Sequence, residues 1–116
     1  MSVRAEILAI GNELLIGDVL DTNSHWLCRQ LTGLGATVQR VCQVPDERNT
    51  IRTELLGARA RGAQLLITTG GLGPTEDDLT LEAVASAYGL ALAEHPLALS
   101  WVADTYTRLA AHGIVP

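Results

Sequence analysis

The segment QLLITTGGLGPTEDDLT, residues 64–80, carries three features in an order typical of α/β proteins. Residues 64–69 form a short apolar run with β-branched side chains, which predicts a buried strand. Gly70, Gly71 and Gly73 follow that strand, and three consecutive acids at residues 76–78 precede an apolar helical pattern. The segment therefore predicts a strand, a glycine-rich turn and a helix, as in one unit of a parallel sheet.

The same alternation of strand and helix runs through the rest of the chain. Residues 5–10 and 37–44 have the composition of two further strands, and a loop-like stretch at residues 11–23 follows the first of them. Connections between such strands are right-handed and carry helices onto the sheet. The chain therefore predicts an α/β fold, a three-layer sandwich with a mostly parallel sheet and helices on both faces.

Four helices are predicted from the apolar spacing and the end signals. The first runs from residue 24 to about residue 34 with Asn23 as its cap, the second begins at Asn49, and Pro96 lies in the first turn of the fourth. The arginines of the second helix are expected on its solvated side. The expected buried positions of the second and third helices are Ile51, Leu55 and Ala58, and then Leu81, Val84, Ala85 and Tyr88.

Length, composition and charge restrict the class of protein. A chain of 116 residues is expected to form one domain, residues 1–116, and 47% apolar residues give it a core. A net charge of -5 without any lysine argues against a nucleic-acid partner. No apolar run is long enough for a membrane span and no signal peptide is recognisable, so we expect a cytoplasmic protein. Because such sheets usually have more than three strands, the chain is expected to be a C-terminally incomplete piece of its domain.

Polar residues follow each of the three predicted strands. Asn12 and Glu13 follow the first, Asp46 follows the second, and the glycines and acids of residues 70–78 follow the third. Ligands of open parallel sheets bind outside the carboxyl ends of the strands. The sequence therefore predicts a binding site at this edge.

The glycines have two interpretations. Gly70, Gly71 and Gly73 allow the backbone to approach a phosphate closely, at a point where a helix N-terminus adds free N–H groups. Alternatively, the three glycines only form a tight turn. Two known phosphate loops are excluded, because the chain has no lysine for a P-loop and the spacing of the dinucleotide fingerprint is not met.

The consecutive acids also have two interpretations. Thr75 and Asp78 have the spacing of a capping box, which accounts for one acid at a helix start. Three adjacent acids beside a turn suited to anions instead favour a divalent cation held between carboxylates and a phosphate. Asp46 and Glu13 could contribute oxygen ligands from the neighbouring strand ends.

Three motifs resemble the MoaB/Mog-like, molybdopterin-binding domain family, and most of all the N-terminal domain of CinA-type proteins. They are IGNELLIGDVLDTN (residues 10–23), VPD (44–46) and TGGLGPTEDDLT (69–80). The resemblance implies an α/β sandwich that commonly self-associates as a dimer or trimer. In the pterin enzymes, acids matching Asp46 and Asp78 serve Mg²⁺-dependent adenylyl transfer. In CinA-type proteins, the domain is associated with metal-dependent hydrolysis of the pyrophosphate link of ADP-ribose.

Two departures favour the CinA-type function over the pterin function. Leu72 replaces a hydroxyl residue of the pterin loop, and Asp77 stands in place of an arginine. A pterin-binding or adenylylating protein and a non-catalytic nucleotide-binding module remain the alternatives. Nothing in the chain matches the amidase domain that CinA proteins often carry.

The resemblance assigns expected roles to the residues of this edge. Asp78 and Asp46 are the expected catalytic acids, and the cation is Mg²⁺, with Mn²⁺ or Co²⁺ as substitutes. The ligand is a nucleotide or a pterin phosphate. Its phosphate or nucleotide contacts are expected from Gly70, Gly71, Gly73, Thr75 and Asn12, and the metal ligands are expected to be Asp78, Asp77, Asp46 and Glu13.

Overall fold

The computed structural model describes residues 2–72 and 79–113. Three strands form one parallel sheet in the order β2-β1-β3. This arrangement confirms the predicted α/β fold with a parallel sheet. The elements in chain order are β1 (Arg4–Ile10), α1 (Asn12–Leu15), α2 (Thr22–Gly33), β2 (Thr37–Val44), α3 (Arg48–Ala60), β3 (Leu65–Gly70), α4 (Leu79–Tyr88) and α5 (Pro96–Ala111).

Helices cover both faces of the central strand β1, so the fold has three layers. Side chains alternate across a strand, so neighbouring residues of β1 contact opposite helices. Ala5 and Ile7 pack with Leu31 of α2 on one face. On the other face Leu8 and Ile10 pack with α3 and α4, where the buried partners are Ile51, Leu55, Ala83 and Ala87. Near-continuous burial of this kind is typical of parallel sheets.

One acid interrupts the apolar strand. Glu6 is 2% exposed, and its carboxylate accepts hydrogen bonds from Arg61 Nη2 at 2.7 Å and Nε at 3.0 Å. The register of β1 against β2 shifts beside Glu6, and Gln39 donates to the same carboxylate at 2.7 Å. Hydrogen bonding from Arg61 outweighs burial and lowers the pKa of Glu6. Arg61, the residue after α3, is exposed as expected of the arginines of this helix, but it also pairs with a buried carboxylate.

This ion pair predicts a specific pH dependence of stability. Because the pKa of Glu6 is lower in the folded chain than in the unfolded chain, about 4.3 for a free glutamate, Glu6 stabilises the fold above that pH. The contribution is lost as the pH falls through the folded value. We expect Glu6→Gln to lose less stability than wild type when urea unfolding is measured at pH 7 and again near pH 3. Glu94→Gln, which changes an exposed acid, serves as the control and should follow wild type.

Several sequence predictions about the helices need correction. Asp21, not Asn23, caps α2, because the Asp21 carboxylate accepts from Ser24 N at 3.0 Å. Residues 12–15 form the short helix α1 within the predicted loop. The helix expected from Asn49 begins one residue earlier. In α4 two of the four expected buried positions are confirmed, since Ala85 is buried and Val84 packs against the core. The expectation is wrong for Leu81 and Tyr88, which are exposed, while Thr80 and Ala83 are buried instead.

The last helix, α5, lies largely outside the sandwich. None of its residues is buried, and it exposes the apolar side chains of Leu97, Leu99, Trp101, Val102 and Tyr106. His95 caps its start by accepting from Ala98 N, and Pro96 occupies the first turn as predicted. None of the helices within residues 2–72 and 79–113 combines the length and apolarity needed to cross a membrane.

Candidate functional site

The carboxyl ends of β1 and β2 are joined by a pair of reciprocal hydrogen bonds. Asp46 N donates to Asn12 Oδ1 at 3.1 Å, and Asn12 N donates to Asp46 Oδ2 at 3.4 Å. Just before them, Gly11 N donates to Val44 O at 3.0 Å. The structure therefore brings together the two side chains that sequence placed at these strand ends. Their roles in phosphate and metal binding remain predictions.

Close packing at the end of β3 requires glycine at residues 70 and 71. Gly70 and Gly71 have φ values of 87° and 67°, a region that favours glycine. A Cβ at Gly70 would collide with the carbonyl oxygen of Ile10, and one at Gly71 would collide with Thr80 Oγ1. Thr80 also donates to Gly70 O at 3.3 Å. The tight-turn interpretation therefore explains these two glycines in full, and phosphate binding becomes an additional use of a turn that packing already requires.

The remaining loop residues of the predicted site fall outside the described part of the chain. They are Gly73, Thr75, Glu76, Asp77 and Asp78. Their expected roles in binding phosphate and metal stay predictions. Leu72, the last described residue before them, is 70% exposed.

A cavity of about 130 Å³ lies beside this edge, on the side of the sheet covered by α2. The polar side chains that line it are those of Glu13, Asp21, Thr22, Asn23 and Thr69. Gly70 and Ile10 also line it, so the cavity adjoins the glycine turn. The structure thus places Glu13 at this cavity, whereas Asn12 meets Asp46.

Sequence reasoning missed Asp21, Asn23 and Thr69 as lining residues. In the sequence, Asp21 and Asn23 are sufficiently explained as residues that form a turn or cap a helix. Thr69 is explained as the last residue of a predicted strand. For Asp21 and Asn23, the sequence feature that could have indicated this position is the triplet DTN (residues 21–23) at the start of α2. Only the fold shows that this N-terminus and the end of β3 face one cavity.

Hydrogen bonds hold the rim of this cavity in place. Asn23 Nδ2 donates to Thr69 Oγ1 at 3.1 Å, and Gln43 Nε2 donates to Asp21 Oδ2 at 3.4 Å. Burial favours the neutral form of Asp21, but contacts with Ser24 and Gln43 outweigh it and lower the pKa of Asp21. The Asp21 carboxylate is therefore charged at neutral pH.

The predicted metal site at this edge stays a prediction. Within residues 2–72 and 79–113, no three His, Cys, Asp or Glu side chains are grouped so that they could hold a metal ion. Mg²⁺ commonly takes only one or two carboxylates, with water and substrate phosphate completing its octahedron. Asp46 is half-buried at the edge, and from the described residues its carboxylate accepts one long hydrogen bond, which leaves lone pairs for a metal. One such carboxylate fits a phosphate-bridged Mg²⁺ site that residues 76–78 would complete.

The parallel α/β sandwich and its polar edge define a class of ligand-binding domain, and comparison with known proteins identifies that class. Residues 6–116 match the family described as "Probable molybdopterin binding domain". The chain belongs to this family. Its predicted likeness to the MoaB/Mog-like domain of CinA type is confirmed by the relatives described next.

The similar proteins include several CinA-like chains. A CinA-like protein of Anaeromyxobacter sp. (strain K) is 43% identical over 106 residues, covering 91% of this chain and 26% of the relative. A protein of Aeropyrum pernix is 50% identical over 105 residues, covering 90% of this chain and 39% of the relative. The chain therefore spans between about a quarter and two fifths of the length of these relatives.

Solved structures show the same fold. CinA from Thermoplasma acidophilum, a protein described as having unknown function, matches with a TM-score of 0.85 and 32% identity, covering 91% of this chain and 62% of that one. The molybdopterin biosynthesis enzyme MoaB of Thermus thermophilus matches with a TM-score of 0.67 and 32% identity over 72% of this chain and 54% of that one. The higher TM-score of the match to CinA agrees with the CinA-type motifs.

Proposed function

We propose that this domain binds a nucleotide of the ADP-ribose class and hydrolyses its pyrophosphate link with a divalent metal. The observation that carries the proposal is the meeting of Asn12 and Asp46 beside the glycine turn at Gly70 and Gly71. An amide and a carboxylate at two neighbouring strand ends, next to backbone that can approach a phosphate, suit a ligand that carries both phosphate and metal. The choice of a nucleotide rests on the CinA-type motifs, with which the CinA-like relatives agree.

Each residue of the edge has a defined task in this proposal. Gly70, Gly71 and Gly73 hold the diphosphate, and Asn12 orients it while keeping Asp46 in place through their reciprocal hydrogen bonds. Asp46 and Asp78 hold the metal, which supplies polarisation of a phosphoryl oxygen. The carboxylate of Asp77 or Glu13 can position the attacking water. These tasks require two carboxylates in fixed positions at this edge, Asp46 after β2 and Asp78 in the segment after β3.

The proposal is tested by incubating the chain with ADP-ribose and Mg²⁺, Mn²⁺ or Co²⁺ and measuring release of AMP. We expect AMP and ribose 5-phosphate in equal amounts, and no release in EDTA. Absence of AMP with all three metals, from a preparation that unfolds cooperatively, would exclude hydrolysis. Binding of ADP-ribose without turnover would then support the non-catalytic nucleotide-binding module.

A second candidate function is binding or adenylylation of molybdopterin. It is favoured by the family match and by the 32% identity to MoaB. It is opposed by Leu72, which supplies no hydroxyl for a pterin phosphate and is exposed at the start of the loop. Retention of molybdopterin by the purified chain, together with failure to release AMP from ADP-ribose, would favour this candidate over hydrolysis.

A further inference from the structure

The cavity beside the glycine turn has a chemical character different from that of the turn. Its lining combines the apolar residues Ile10, Leu14, Val19 and Leu20 with polar residues that offer hydrogen-bond acceptors, which we call its rim: Glu13, Asp21, Thr22, Asn23 and Thr69. Glu13 and Asp21 bring two carboxylates to the rim, and no arginine or histidine is among the described residues that line it. An anion such as phosphate is therefore disfavoured inside this cavity.

The acceptors on the rim have unused capacity. Because Asn23 Nδ2 is committed to Thr69 Oγ1, the Asn23 amide is held with its Oδ1 free to accept. The Asp21 carboxylate receives one hydrogen bond on each oxygen, from Ser24 N and from Gln43, and each oxygen can accept a second. Next to these residues Ser24 Oγ is buried without a hydrogen-bond partner among the described residues. Buried polar groups of this kind normally have partners.

We infer that this cavity receives a neutral, hydroxyl-bearing part of the ligand, which donates hydrogen bonds to Asp21, Asn23 and Glu13. An apolar wall with an acceptor rim suits a sugar ring, whose carbon face is apolar and whose hydroxyls donate. The identification of that sugar as a ribose of the nucleotide rests on the proposed function. Phosphates at the glycine turn and a ribose in the adjoining cavity would then be neighbouring parts of one ligand, because Gly70 borders both.

Two other occupants fit the cavity less well. A nucleobase is usually stacked on an aromatic side chain, and none is among the described lining residues. A divalent cation bound by protein alone usually takes more carboxylates than the two on this rim. The hydroxyl-bearing group is the occupant whose donors match the free acceptors.

The test compares two ligands that share the diphosphate, of which only one carries sugars. Calorimetry with Mg²⁺ measures the Kd for a non-hydrolysable ADP-ribose analogue and for inorganic pyrophosphate with wild type, Asp21→Asn and Asn23→Leu. Because a hydrogen bond to a charged carboxylate is stronger than one to a neutral amide, we expect the analogue to bind at least about tenfold more weakly to Asp21→Asn and about threefold to tenfold more weakly to Asn23→Leu. Pyrophosphate affinity should change less than about twofold on the same scale. Asn at position 21 can still cap α2, so the fold should be kept.

Asp18→Asn is the matched control, since it makes the same charge change on an exposed residue of the same loop that does not line the cavity. It should leave both affinities unchanged. The sugar cavity would be overturned if Asp21→Asn weakened the binding of both ligands equally. It would also be overturned if Asp18→Asn weakened the binding of the ADP-ribose ligand as much as Asp21→Asn does. Neither result would contradict the proposed function. If wild type binds neither ligand, the proposed function fails, and with it the ribose assignment.

Discussion

Asp78→Asn should lower the rate of AMP release from ADP-ribose by roughly a thousandfold, because a metal at a phosphoryl oxygen is worth several kcal/mol in the transition state. The substitution keeps the shape of the side chain and removes the charge that holds the cation. Asp46→Asn should show a loss of the same order, since the proposal gives both acids to one metal. The measurement is AMP formation under saturating ADP-ribose and Mg²⁺.

Asp104→Asn is the control for this experiment, as it removes a carboxylate from the exposed helix α5. It should retain the wild-type rate. Wild-type activity in Asp78→Asn would remove that residue from the catalytic machinery. Partial recovery of the variant at high Mn²⁺ would instead support a role in metal binding, because a weakened site fills again at a higher metal concentration.

Gly70→Ala is expected to lower the free energy of unfolding by about 3 kcal/mol, or to prevent cooperative folding altogether. Two costs add at this position. The residue has a φ of 87°, and the added Cβ would meet the carbonyl oxygen of Ile10 in the central strand. That oxygen belongs to the backbone of a buried strand and cannot move without disturbing the sheet.

Gly35→Ala separates these two costs. Gly35 has a similar φ of 92°, but a Cβ there would meet no atom within 4 Å. We expect it to cost only about 1 kcal/mol, the strain of a left-handed backbone alone. Urea unfolding of both variants measures the difference. Equal destabilisation of the two would show that contact with β1 contributes nothing.

Local signals in the sequence were sufficient for the strands. The second strand was predicted at residues 37–44 and is observed at the same positions, because a β-branched run is bounded there by Gly35 and Pro45. The buried face of α3 was also predicted correctly, since Ile51, Leu55 and Ala58 recur at helical spacing and all three are buried. Parallel topology followed from the alternation of strands and helices.

Long-range features could not be obtained in the same way. The pairing of Glu6 with Arg61 joins residues 55 positions apart, and an acid within a strand gives no signal of its partner. For α4 the apolar spacing predicted Val84 and Ala85 correctly but also placed the exposed Leu81 and Tyr88 in the core, whereas the small Ala83 and Ala87 pack in the cluster shared with α3. The cavity depends on the meeting of Asn23 and Thr69, which only the three-dimensional arrangement shows.

The central claim is that the glycine turn and the acids of this edge form one site, in which metal and diphosphate bind together. Calorimetric titration of Mn²⁺ into the chain, with and without a saturating non-hydrolysable ADP-ribose analogue, tests it most directly. The account predicts that Mn²⁺ binds at least about tenfold more tightly with the analogue present, and by linkage that the analogue gains the same factor from Mn²⁺. Equal Mn²⁺ affinity with and without the analogue would contradict it.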